Sequence, residues 1–164
     1  MKHIHVNIIL IVLVMLLGCH TETPTTFSEA AMNDTFISLE GESVQFKDII
    51  KQYEGKQIVI DVWATWCRDC IEGMPKVKKL QKKFPDATFL FLSLDRKQEL
   101  WKKGIDRFKV EGEHYYMQSG WDGPFGDFLD LDWIPRYMVV DAEGKIKLFK
   151  AIEADDKNII EALK

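Results

Sequence analysis

The sequence has few of the residues from which metal centres and disulfide frameworks are built. Its 164 residues include only three cysteines and four histidines. A closed zinc site would need two more Cys or His ligands at suitable spacing beside a C-x-x-C pair. The chain has one C-x-x-C and no second pair or clustered histidines. We therefore expect no metal site, and no structural disulfide that leaves this pair free.

The sequence also lacks an excess of basic residues and a long apolar run. Its net charge is −4, with both signs spread along the chain, whereas nucleic-acid binding needs a clustered basic surface. The apolar run from Ile8 to Leu17 has ten residues, and a membrane span needs about 20. What the chain does have is 46% apolar residues, including ten Phe and five Trp. This composition suits one domain with a sizeable core.

The N-terminus has the features of a targeting segment. Lys2 precedes the apolar run, and Leu16-Leu17-Gly18-Cys19 resembles a bacterial lipoprotein signal. We predict a signal peptide at 1–18, a lipid on Cys19 and a flexible tether at 19–34. The protein would then be anchored in the cell envelope and face the periplasm, on either the inner or the outer membrane. The alternative is an ordinary signal peptide that happens to be cut near Cys19.

With Cys19 assigned to lipid, Cys67 and Cys70 are the remaining cysteines. They stand between an apolar strand and a helix, and the partial positive charge at a helix N-terminus stabilises a thiolate. In an exported protein this lone pair indicates a redox-active disulfide, a structural disulfide being the alternative. The more accessible first cysteine would be the nucleophile, and the covered second one would resolve the mixed disulfide.

Hydrophobic periodicity predicts alternating short strands and helices. A hairpin comes first, and the order after it is β-α-β-α-β-α-β-β-α, which predicts an α/β fold with a central mixed sheet flanked by helices. Asp95 is a plausible start of the second of these helices and Gly104 a plausible stop. We assign 35–164 to one domain. The main predicted strands are 35–39, 43–46, 57–64, 87–94, 114–117, 136–140 and 145–150.

Four features resemble the thioredoxin superfamily, and more narrowly its TlpA/ResA-type membrane-anchored thiol-disulfide oxidoreductases. They are the run Asp61-Val62-Trp63-Ala64-Thr65-Trp66-Cys67, Pro75 inside the following helix, Ile134-Pro135, and the turn at 141–145. The resemblance covers roughly Thr35 to the C-terminus and implies a thioredoxin-like fold. The segment from His114 to Leu131 matches no catalytic element of that fold, so it is a candidate for shaping substrate choice.

The resemblance also implies roles for residues around the pair. Asp61, six residues before Cys67, is expected to be a buried acid that passes protons to and from Cys70; the alternative is a surface carboxylate. Pro135 is expected to be cis, although most X-Pro bonds are trans. A cis Pro135 would leave the backbone of Ile134 free to pair with an extended substrate.

Other neighbours of the pair are candidate substrate contacts. Trp66 and Trp133 could form an apolar rim, with core packing as the alternative, which we prefer for Trp63. Between the cysteines, Arg68 favours a thiolate and Asp69 opposes one, so their effects partly cancel.

These features together predict a thiol-disulfide oxidoreductase that reduces protein disulfides with no cofactor beyond its own cysteines. The resemblance implies the reducing direction, a role such as cytochrome c maturation, and a membrane electron donor of the DsbD/CcdA type. We expect a monomer that binds no nucleic acid. One alternative is a copper-binding or delivery module with His114 as a distant ligand, although we expect that histidine to be a half-exposed strand residue. Another is a binding protein without redox turnover.

Overall fold

The computed structural model describes residues 23–164, so the predicted signal peptide and Cys19 lie outside the described residues. None of the helices in this part of the chain is long and apolar enough to cross a membrane. The elements are α1 (Glu29–Met32), β1 (Thr35–Ile37), β2 (Ser43–Gln45), α2 (Phe46–Gln52), β3 (Ile58–Trp63), α3 (Arg68–Lys83), β4 (Thr88–Ser93), α4 (Gln98–Phe108), β5 (Glu113–Tyr116), α5 (Pro124–Leu129), β6 (Arg136–Val140), β7 (Ile146–Ala151) and α6 (Lys157–Ala162).

The strands form one mixed sheet in the order β2-β1-β5-β4-β3-β6-β7. Strands β3, β4 and β5 are parallel, and the hairpin strands at both edges are antiparallel. All six residues of β3 are buried, as expected for a strand with a neighbour on each side and both faces covered. The predicted α/β thioredoxin-like fold and its N-terminal hairpin are confirmed.

The prediction of a flexible tether is wrong for its second half. Ser28 caps α1 by accepting the backbone N–H of Ala31. Phe27 packs against the aromatic rings of Phe46, Phe125 and Phe128, with ring centroids 4.9 to 6.2 Å apart. The polar composition of this stretch suggested a linker, but one aromatic side chain and one capped turn are enough to dock it on the domain.

The helix that was predicted from Asp95 to Gly104 corresponds to α4, and both of its predicted ends are wrong. Asp95 does not cap α4, because its carboxylate accepts both the backbone N–H and the hydroxyl of Thr65. Gly104 does not end α4, which continues to Phe108. A Cβ at Gly104 would lie 2.0 Å from the Cγ2 of Thr65, so glycine allows α4 to approach the turn that precedes Cys67.

Candidate active site

The two cysteines at the start of α3 form a disulfide, with an S–S distance of 2.11 Å. Cys67 is the N-cap residue of α3, and its sulfur accepts the backbone N–H of Cys70 at 3.1 Å. In the dithiol form the same N–H and the helix dipole would stabilise a thiolate at Cys67. Cys67 is 6% exposed and Cys70 is fully buried, so Cys67 is the sulfur that a substrate can reach.

The loop before β6 covers the other side of the pair. The Ile134–Pro135 peptide bond is cis, and the carbonyl oxygen of Ile134 lies 3.6 Å from the sulfur of Cys67. Proline has no backbone N–H to offer at this position. The structure therefore brings Cys67, Ile134 and Pro135 together, as the family resemblance implied.

Asp61 lies in the middle of β3 and is 1% exposed, with no hydrogen-bond partner for either carboxylate oxygen within residues 23–164. Burial raises the pKa of this carboxyl well above its usual value. The alternative of a surface carboxylate is excluded. Asp61 therefore holds its proton at a pH where an exposed aspartate is ionised, as a group that exchanges protons with a thiol must do.

Tyr137 is a neighbour of Asp61 that the sequence did not reveal. The two residues are register partners in the antiparallel pair of β3 and β6, so their side chains share a face of the sheet. The Tyr137 hydroxyl is buried, and a Cβ added at Gly73 of α3 would lie 3.4 Å from it. Burial, and after it the charge of Asp61, raise the pKa of Tyr137. The Tyr137 hydroxyl therefore lies beside Gly73, about one helical turn beyond Cys70. Asp61 lies next to Tyr137 on the neighbouring strand.

A second unpredicted feature fixes the turn that leads into Cys67. Asp95 is 4% exposed, and its two carboxylate oxygens share the backbone N–H of Thr65. They also accept the hydroxyls of Thr65 and Ser93. These bonds tie the end of β3 to the end of β4, two residues before the nucleophile. Sequence reasoning missed this bridge because Asp95 also fits a helix-start pattern.

A groove of about 440 Å³ opens beside the sulfur of Cys67. Trp66 and Trp133 line it and are 52% and 57% exposed, which supports the predicted apolar rim. Trp63 is fully buried, which agrees with the core packing that we preferred for it. Trp121, which the sequence analysis did not single out, forms a further wall. Arg68 and Asp69 also line the groove, and the guanidinium of Arg68 forms an exposed ion pair with Glu72.

The arrangement around His114 does not resemble a metal site. The prediction of a half-exposed strand histidine is wrong: His114 is 6% exposed, its Nε2 lies 3.1 Å from the carbonyl oxygen of Val110, and its ring stacks on Phe91. Burial lowers the pKa of His114. Residues 23–164 contain no group of three or more His, Cys, Asp or Glu side chains placed to hold a metal ion.

Fold and site together define a thioredoxin-fold domain with a disulfide at the start of a helix and a cis-proline beside it. A family model described as thioredoxin-like matches residues 55–146, which is more than half of the chain. The chain therefore belongs to the thioredoxin-like family, and the resemblance found in the sequence is confirmed.

Several relatives and solved structures are named thiol-disulfide oxidoreductases or thiol:disulfide interchange proteins. The thiol-disulfide oxidoreductase ResA of Bacillus thuringiensis is 28% identical over 74 residues, 45% of this chain and 40% of that protein. A thiol:disulfide interchange protein from a Bacteroides species has 30% identity, a TM-score of 0.65, and coverage of 85% of this chain and 90% of that one. The thioredoxin domain of a Bacteroides vulgatus thiol-disulfide oxidoreductase has 26% identity, a TM-score of 0.67, and coverage of 85% and 100%.

The match to the curated relatives covers only part of each protein. The aligned stretch spans 40% of the length of the Bacillus thuringiensis ResA, and 26% of the length of a thioredoxin-like protein of Bacillus subtilis that the chain also matches. The names of these proteins and the disulfide between Cys67 and Cys70 support the predicted class, thiol-disulfide oxidoreductase.

Proposed function

We propose that the protein reduces disulfide bonds in other proteins, with Cys67 as the nucleophile and Cys70 as the resolving thiol. The observation that carries this proposal is the placement of Cys67, which caps α3 and lines an open groove while Cys70 is fully buried. Attack on a substrate disulfide requires an accessible sulfur whose thiolate is stabilised. The second thiol can then remain covered until the mixed disulfide has formed beside it.

The reaction balances as two exchanges. The Cys67 thiolate attacks one sulfur of the substrate disulfide, and the other substrate sulfur leaves as a thiolate and takes up a proton. The Cys70 thiol loses its proton, and its sulfur attacks Cys67, which releases the second substrate thiol and leaves the protein disulfide. Two electrons pass to the substrate. We assign the proton of Cys70 to the ionised form of Asp61, because burial raises the pKa of this carboxyl and so makes its carboxylate a stronger base.

The backbone beside Cys67 provides a place for the substrate chain. Cis Pro135 offers no N–H, and the carbonyl oxygen of Ile134 lies next to the reactive sulfur. An extended segment that aligns with Ile134 would bring its own cysteine over Cys67 by strand addition. This docking mode favours disulfides in extended or unfolded protein segments.

Reduction of insulin disulfides in the presence of dithiothreitol tests the enzymatic function. We expect turbidity from the precipitating insulin chains to appear well before it appears in a reaction without the protein. The metal content of the purified protein is measured in parallel. Tight stoichiometric copper or zinc without reductase activity would support the metal-delivery module. The absence of both activity and metal would support a binding protein without redox turnover.

We further propose that the protein is exported and held in the cell envelope by a lipid on Cys19, facing the periplasm. Support comes from the apolar run and the Leu16-Leu17-Gly18-Cys19 sequence. Acyl chains contribute about 0.8 kcal/mol for each buried CH2 group, so more than one chain gives firm anchoring. A membrane dithiol donor of the DsbD/CcdA type would then return the pair to its reduced form.

The anchor is tested with Cys19→Ser in the full-length chain, produced in a bacterial host that processes lipoproteins. We expect the native chain in the membrane fraction and in the detergent phase after phase separation, and the variant in the soluble fraction. Cys70→Ser is the matched control, because it removes a cysteine without touching the signal and should stay with the membrane. If Cys19→Ser also stays with the membrane, lipidation at this residue is contradicted.

A further inference from the structure

Three tryptophans surround the groove beside Cys67, and the exchange reaction uses none of them. Trp66 precedes the nucleophile, and Trp133 precedes the cis-proline loop, so both reach the groove through elements that the chemistry already requires. Trp121 comes from the segment between β5 and α5. The exchange reaction assigns no role to this segment, so the position of Trp121 in the groove needs a separate explanation.

The segment that carries Trp121 is fixed from both sides. The carboxylate of Asp34 is 6% exposed, and its Oδ2 accepts the hydroxyl of Ser119 at 2.8 Å and the backbone N–H of Phe125 at 3.0 Å. A Cβ at Gly126 would lie 2.0 Å from the carbonyl oxygen of Trp121, so the turn closes only over glycine. Trp121 is therefore held in place by buried contacts of its own segment.

The groove continues past Trp133 into a second cavity of about 430 Å³ between α3 and the loop after β7. Trp133 and Asp69 line both cavities, and the exposed side chain of Ile152 lines the second. Because they adjoin at Asp69 and Trp133, the two cavities form one surface beside the redox pair. Apolar and charged side chains both contribute to each cavity.

The charge of this surface is unbalanced. Its charged lining residues are four acids and two bases, namely Asp69, Glu72, Asp132, Glu153, Arg68 and Lys76. Lys76 already forms two ion pairs, with Glu153 and with Asp155, each at 2.9 Å. Asp69 forms no ion pair with any residue of the described part of the chain. A basic group on a bound segment would therefore find a free acidic partner, and an acidic group would not.

We propose that Trp121 is a specificity-determining residue, and that the groove selects disulfide-bearing protein segments with an apolar side chain and a basic side chain beside the target cysteine. This inference rests on the proposed function and names the substrate class of the same site. The apolar side chain would pack among the three tryptophans, and the basic one would lie near Asp69. Glutathione disulfide is a poor fit, because it has several carboxylates and no apolar side chain.

The test uses four peptide disulfides of one length, whose cysteine is flanked by Phe or Ser on one side and by Lys or Glu on the other. The second-order rate constant for their reduction by the reduced protein is measured for each, and for glutathione disulfide. We expect the Phe/Lys peptide to react fastest and the Lys peptides to react about ten times faster than the Glu peptides. In about 1 M salt, where the screening length falls to about 3 Å, the Lys/Glu ratio should approach one.

Variants separate the two parts of the proposal. Trp121→Ala should reduce the Phe/Ser ratio at least threefold, Trp121→Phe should keep most of it, and Asp69→Asn should reduce the Lys/Glu ratio. Leu100→Ala is the matched control, because Leu100 is exposed and apolar but lines neither cavity.

Several results would overturn this inference while the proposed function stands. They are a Phe/Ser ratio that is unchanged in Trp121→Ala, equal rates for Lys and Glu peptides at low salt, or glutathione disulfide as the best substrate. Failure to reduce any of the disulfides would instead contradict the proposed function itself. The use of ratios within one variant separates selectivity from any general effect on the sulfur atoms.

Discussion

Replacement of Cys70 by serine should leave the protein covalently joined to its substrates. In the structure Cys70 is the residue bonded to Cys67, and residues 23–164 contain no other cysteine. Without Cys70, the mixed disulfide on Cys67 therefore has no neighbouring thiol that can release it. Turnover should fall by about a thousandfold or more, because a step of the exchange is removed rather than slowed.

The measurement is a diagonal gel or a pull-down of the variant from envelope extracts, followed by release of the trapped proteins with dithiothreitol. Cys67→Ser is the matched control. It keeps a thiol at position 70, but this thiol is fully buried, so we expect almost no trapped protein. Equal trapping by both variants would contradict the assignment of Cys67 as the nucleophile and Cys70 as the resolving thiol.

Asp61→Asn should slow the resolving step about a hundredfold and stabilise the fold. The amide cannot take the proton of Cys70, and general acid–base catalysis typically contributes about 10²–10⁴ in rate. Release of a preformed mixed disulfide, followed by stopped flow between pH 5 and 9, isolates this step. In the native protein its rate should rise with pH through the raised pKa of Asp61, and the variant should lack that inflection.

The effect of Asp61 on stability has a definite sign. Well below pH 4, the carboxyl is protonated in both the folded and the unfolded protein. As the pH rises, the unfolded chain ionises first, because burial raises the pKa of Asp61 in the folded state. The native protein therefore loses stability relative to Asp61→Asn until the pH passes that raised pKa, and the difference is constant above it.

Denaturant unfolding at pH 4 and pH 8 measures this difference. We expect the stability of the variant to rise relative to that of the native protein between the two pH values, because only the native protein has a carboxyl whose ionisation is opposed by burial. Asp86→Asn, in an exposed turn, is the matched control and should show no such gain. A variant that unfolds, or a resolving rate that does not change, would give Asp61 a purely structural role.

The parts of the site that the sequence predicted lie within short stretches of chain. Asp61, Cys67 and Cys70 belong to one strand–helix unit, so their spacing fixes their relation to each other. The position of Pro135 came from the resemblance, since an X-Pro bond is far more often trans. The structure places all four as predicted: the cis bond lies beside Cys67, and Asp61 is buried in β3.

The parts that the sequence could not predict depend on contacts between distant segments. Tyr137 meets Asp61 through the register of two strands that are far apart in the chain. Trp121 reaches the groove because Asp34, on the supposed tether, binds both ends of its turn. Asp95 and Gly104 fitted local rules for helix ends, but long-range contacts with Thr65 determine their roles. Local patterns do not contain that information.

The most direct test of the account is the rate at which a thiol-alkylating reagent modifies each cysteine of the reduced protein at neutral pH, with the products mapped by mass spectrometry. A sulfur that caps a helix beside an open groove should react rapidly, and we expect modification of Cys67 to be at least a hundredfold faster than modification of Cys70. If Cys67 is inert, or if Cys70 reacts first, the protein does not work by the exchange proposed here.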